Sequence, residues 1–77
     1  MATTLENLQP GEEGVVQALN GEPETMARLM EMGLVVGTTL KVVKFAPLGD
    51  PIEILVRGYH FSLRRAEASQ VTIETAA

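Results

Sequence analysis

Glycine and proline interrupt this chain so often that it can hold only short elements. Glycines stand at positions 11, 14, 21, 33, 37, 49 and 58, and prolines at 10, 23, 47 and 51. Both residues punctuate regular structure, glycine by admitting left-handed backbone and proline by removing an N–H donor. Most of the intervening segments alternate β-branched or apolar residues with polar ones, the period of a half-buried strand. Val15 to Leu19 is the first, set between the turn signals Gln9-Pro10-Gly11 and Asn20-Gly21. Thr38 to Ala46 is the second, with Leu40, Val42 and Ala46 on one side and Val43 and Phe45 on the other. This phase puts Lys41 and Lys44 on opposite faces. Ile52, Ile54 and Val56 share a face opposite Glu53 and Arg57. Gly58 allows a bend or bulge. Phe61 and Leu63 resume the apolar row, with His60, Ser62 and Arg64 pointing away, and Val71 and Ile73 form a last strand.

One segment departs from this period. Met26, Leu29, Met30 and Gly33 recur at helical spacing, which places them on one face. Pro23 suits a first helical position, and Glu22 and Glu24 put negative charge at the positive end of the helix dipole. The pattern predicts a helix over about residues 23–32, with Met26 and Met30 in the core. Glu24 and Arg28 pair outward, and Met32, four residues after Arg28, lies on the polar face. Gly33 supplies a left-handed C-terminal residue, after which Leu34 packs on Leu29. A short helical turn is expected near residues 65–69. The fold class that follows is mainly β, with about five short strands and one inserted α-helix. So few strands make a small barrel, which leaves few open edges.

With 77 residues, the expectation is a single domain over 1–77 with no room to wall off a deep pocket. Cysteine is absent and His60 is the only histidine, so neither a thiolate site nor a serine triad can be assembled. The glycines do not fall into a phosphate-cradling pattern, and no nucleophile–base pair is visible, so the chain does not read as an enzyme. A net charge of −4, with Arg64-Arg65 the only adjacent basic pair, argues against nucleic acid. No apolar stretch is long enough for membrane insertion, and the N-terminus lacks a basic and apolar leader, so the expected location is cytoplasmic.

The candidate site residues are correspondingly few. His60 and Asp50 are the weak candidates for a metal site, which would suit Fe2+ or another divalent transition metal with nitrogen and oxygen donors. Asp50-Pro51 is equally a turn signal, because aspartate bonds local backbone. Met32 on a polar helix face suggests a partner contact. The surface would extend through Leu34, Val35 and Val36 and take in Leu48 on the neighbouring connection. Phe45 and Phe61 read as core, leaving Tyr59 as the aromatic available to a peptide groove. Exposed apolar strands also leave self-association open.

Four segments together resemble a known family. Leu8-Gln9-Pro10-Gly11 leads into a valine-rich strand. Arg28-Leu29-Met30-Glu31-Met32-Gly33-Leu34-Val35-Val36-Gly37 follows, then Ala46-Pro47-Leu48-Gly49-Asp50-Pro51-Ile52, then Leu63-Arg64-Arg65-Ala66-Glu67-Ala68. In this order and spacing they resemble the FeoA family over roughly residues 5–74. The resemblance implies an SH3-like barrel in the cytoplasm, at the inner face of the membrane through its partner. It implies an accessory role in bacterial ferrous iron uptake, by contact with the cytoplasmic G-protein region of the FeoB permease. The alternative it leaves open is a weak Fe2+-binding chaperone or sensor, related to the C-terminal domain of iron-dependent repressors. It supplies no catalytic residues. Gly33, Gly37, Pro47, Gly49, Asp50 and Pro51 carry over as fold determinants.

Overall fold

The structure, a computed structural model, describes residues 1–75. The chain runs through β1 (Ala2–Thr4), a 3-10 turn (Leu5–Asn7), β2 (Glu13–Leu19), α1 (Pro23–Glu31), β3 (Thr39–Phe45), β4 (Ile52–Val56), β5 (Tyr59–Leu63), α2 (Arg65–Ala68) and β6 (Val71–Glu74). The strands form one sheet in the order β1-β6-β2-β3-β4-β5, every pair antiparallel. Alternation predicts five of these six strands. The extra one, β1, is three residues without an apolar row, and it exists because β6 is there to pair with it, Ala2 opposite Glu74 and Thr4 opposite Thr72.

The core lies on one face of the curved sheet. Val16, Leu40, Val42, Ile54 and Ile73 are buried on that face, and Leu5 and Leu8 close over it from the 3-10 turn. Gly14 lets β2 approach β6, since a Cβ there would collide with the Ile73 side chain. The β4–β5 hairpin turns through Arg57 and Gly58, both at positive φ (52° and 84°), with Val56 paired to Tyr59. Two positive-φ residues are the signature of the tight turn whose twist matches the strands, so Gly58 makes a hairpin turn and not a bulge.

A bulge does occur in β3, and it overturns the simple phase of that strand. Val42 pairs with Ile54, but Lys44 pairs with Glu53 and Phe45 with Ile52, leaving Val43 as the extra residue. One inserted residue flips every later side chain to the other face. Phe45 therefore joins Leu40 and Val42, and Lys41 and Lys44 share the solvent face.

Helix α1 ends as its sequence predicts and packs differently. The Leu34 N–H bonds the Leu29 carbonyl at 3.1 Å and the Gly33 N–H bonds that of Met30 at 3.0 Å, with Gly33 at φ 103°. This is the glycine-terminated helix end, and Leu34 is fully buried beside it. Met26 and Leu29 are buried, but Met30 is 44% exposed and Met32 packs against the core. The buried stripe follows steps of three through 26, 29 and 32, with Thr25 half-buried beside it. Steps of three drift back by about 60° each, so a stripe centred on Leu29 leaves Met30 on its outer margin. Arg28 pairs with Glu67 of α2, not with Glu24.

Candidate functional site

The expected partner surface is only partly available. Leu34 belongs to the core and Met32 is half-buried, so neither offers the face assigned to it. The helix end turns the chain inward through Gly33, which carries both side chains toward the sheet. Val35 is half-buried, and Val36 is 64% exposed. Their loop is held rigidly on β2: the Gly37 N–H donates to Val16 at 2.8 Å, and Val16 donates to Thr38 at 2.9 Å. Gly37 takes φ 94°, the left-handed backbone expected of it. Leu48 is 96% exposed on the β3–β4 connection, and Tyr59 is 69% exposed just after the β4–β5 turn. Val36 and Leu48 thus stand on two separate connections and Tyr59 at the start of β5.

The β3–β4 connection is organised by a residue that its own sequence does not contain. Arg65 donates from Nε to the Gly49 carbonyl at 2.6 Å and from Nη1 to the Glu6 carbonyl at 3.2 Å. Its guanidinium lies 4.6 Å from the centre of the Phe45 ring. The Asp50 carboxylate accepts the Arg65 backbone N–H at 3.1 Å, fifteen residues away, so its partner is the start of α2 and not a local turn amide. Glu67 accepts the Arg64 N–H at 3.0 Å while its other oxygen meets Arg28. The segments Ala46–Ile52 and Leu63–Ala68, separate in sequence, are therefore one structural unit. The adjacent arginines give no hint of which makes these contacts; only the position of Gly49 and Glu6 decides it. Arg64 remains exposed and lines a shallow groove of about 470 Å³ with Arg28, Pro51, Leu63 and Glu67.

The metal candidates are engaged elsewhere. Asp50 is committed to α2, and His60 Nδ1 lies 2.9 Å from Glu53 Oε2 on the outer sheet face. Lys44 Nζ stands 4.0 Å from the other Glu53 oxygen. Among the described residues no three histidine or carboxylate side chains gather as metal ligands would. None of the described helices is long and apolar enough to cross a membrane.

The comparisons with known proteins agree with this architecture. The model of the family described as "FeoA domain" matches residues 3–75. The "Fe(2+) transport protein A/Fe(2+) transporter FeoB fusion protein" of Porphyromonas gingivalis (strain ATCC BAA-308 / W83) is 37% identical over 70 residues, 91% of this chain. The chain spans only 8% of that relative's length. The solution structure of FeoA protein from Chlorobium tepidum superposes with a TM-score of 0.92 at 43% identity, covering 97% of this chain and 71% of the other. A manganese-dependent transcriptional repressor in complex with manganese superposes at 0.88 with 17% identity, over 96% of this chain and 36% of the repressor, a likeness of fold alone. Sequence and structure converge on a small SH3-like protein, and the chain belongs to the FeoA domain family.

Proposed function

We propose that this chain is an accessory protein of ferrous iron uptake that works by touching the cytoplasmic region of a FeoB-type permease. The observation that carries this reading is the Porphyromonas gingivalis relative, whose name joins a transport protein A to a FeoB transporter in one polypeptide. Fusion raises the effective concentration of two modules that act together. The surface chemistry fits contact better than turnover. Apolar side chains stand exposed at Val36 and Leu48 on connections fixed by backbone hydrogen bonds, which lowers the ordering cost of docking. Val36, Val35, Leu48 and Tyr59 remain the contact residues in this reading, while Met32 and Leu34 pack into the core.

The test is a calorimetric titration against the G-protein region of the permease. Saturable binding is expected, weakened at least about tenfold by Val36→Glu combined with Leu48→Glu, since exposed apolar anchors carry most interface energy. Absence of binding to that region overturns the reading. Parent-like binding by the double variant places the contact on another surface.

A further inference from the structure

We propose that the free edge of β5 accepts an extended protein segment as an added strand, and that this segment alternates apolar and carboxylate side chains.

Strand β5 ends the sheet on one side. The tight Arg57-Gly58 turn makes Val56 and Tyr59 a hydrogen-bonded pair. Pairs alternate along an antiparallel ladder, so Ile54 with Phe61 and Ile52 with Leu63 are bonded too. The opposite side of β3 confirms this phase. Val42 donates its N–H to the Glu12 carbonyl and its carbonyl accepts the Gly11 N–H, both away from β4, so Ile54 must bond toward β5. The backbone groups of His60 and Ser62 therefore point off the sheet. Two residues after Ser62 comes Arg64, whose N–H and carbonyl are used by α2, so the open edge is His60 to Ser62 with its flanks.

This edge lacks the usual protection. It contains no proline and no lysine, and its ladder with β4 carries no bulge. The other edge strand, β1, is only three residues long. Tyr59 and Phe61 lie on the core-facing side of the edge with rings 6.5 Å apart, and neither is fully covered. An incoming strand would lay apolar side chains against them.

Charge identifies the other half of the pattern. Every lysine and arginine except Arg28 lies between Thr39 and Arg65, where the only acids are Asp50 and Glu53. Asp50 is bonded to α2, and Glu53 is bracketed by His60 and Lys44. Arg57 and Arg64, at the two ends of β5, are exposed and form no ion pair among the described residues. Two copies joined edge to edge would set these cations against each other, whereas carboxylates on the added strand would meet them. Like charges across strands destabilise and opposite charges stabilise. The proposal goes beyond the assignment to iron transport, because it concerns the chemistry of the contacting segment and not the protein that carries it.

The test is amide exchange with solvent, followed residue by residue by NMR. The probe is a short acetylated and amidated peptide alternating valine and glutamate. Exchange at His60 and Ser62 should slow at least about tenfold on addition of millimolar peptide, with Tyr59, Phe61 and Leu63 unchanged. A valine–lysine peptide, and the glutamate peptide N-methylated on alternate amides, should have no effect. Arg64→Glu, at an exposed position, should weaken the response. Unchanged exchange at His60 and Ser62 overturns the proposal, as does an equal effect of the lysine or N-methylated peptide. Protection that grows with protein concentration alone would make a second copy the occupant, and protection by a single-stranded oligonucleotide but not the peptide would make it a nucleic acid. Either result overturns it.

Discussion

Arg65 and Arg64 are chemically identical neighbours that should differ sharply in their contribution to stability. Arg65→Ala removes two hydrogen bonds, to the Gly49 and Glu6 carbonyls, and a guanidinium stacked on Phe45. A hydrogen bond from a charged donor is worth about 1.5–3 kcal/mol when fully buried, and about 1 kcal/mol where water can replace it. Arg65 is half-buried, so the lower figure applies to each. A partly exposed cation–π contact adds about 0.5–1 kcal/mol. The expected loss is then about 2–3 kcal/mol, or roughly 10–20 °C in Tm for a domain of this size. Arg64→Ala removes a side chain with no hydrogen bond or ion pair among the described residues and should stay within about 0.5 kcal/mol of the parent. Arg65→Lys keeps the charge but cannot reproduce the fork that reaches two carbonyls, so it should fall between. Urea unfolding followed by circular dichroism measures all three. If Arg65→Ala unfolds with the parent, or if Arg64→Ala costs as much, Arg65 is not the clamp between the β3–β4 connection and the 3-10 turn.

Three further outcomes are expected. Met26→Ala should cost about 2–5 kcal/mol by opening a core cavity, whereas Met30→Lys should change stability by less than about 0.5 kcal/mol; equal costs would place Met30 in the core after all. Gly14→Ala should destabilise by about 1–3 kcal/mol because the added methyl collides with the Ile73 Cγ2, and Ile73→Ala, which removes that methyl, should cost less in the Gly14→Ala background than in the parent when both are followed by thermal unfolding. A double-mutant cycle between Arg28 and Glu67 should give a coupling below about 1 kcal/mol that fades in high salt, since Arg28 is exposed. Single Glu67→Ala should cost more than single Arg28→Ala, because Glu67 also caps the Arg64 N–H.

Local chemistry in the sequence determined much of this protein. Alternation located five strands, glycine and proline set their ends, and Pro23 and Gly33 bounded the helix to within a residue. These features depend on dihedral preference and side-chain period, which each segment carries by itself. The missing residue types settled which chemistries could not be built. What the tertiary structure alone decided has a different origin. The Val43 bulge depends on the partner strand, because an extra residue is defined only against the register opposite it. The stripe of α1 that is buried depends on where the sheet lies, so Met30 and Met32 exchanged places though both satisfy helical spacing. Strand β1 needed β6 from the other end of the chain, and Arg65 needed carbonyls from residues 6 and 49. The partner surface inferred from spacing lost Leu34 and most of Met32 for the same reason. Periodicity fixes which residues share a face, but only the packed neighbours decide whether that face meets water.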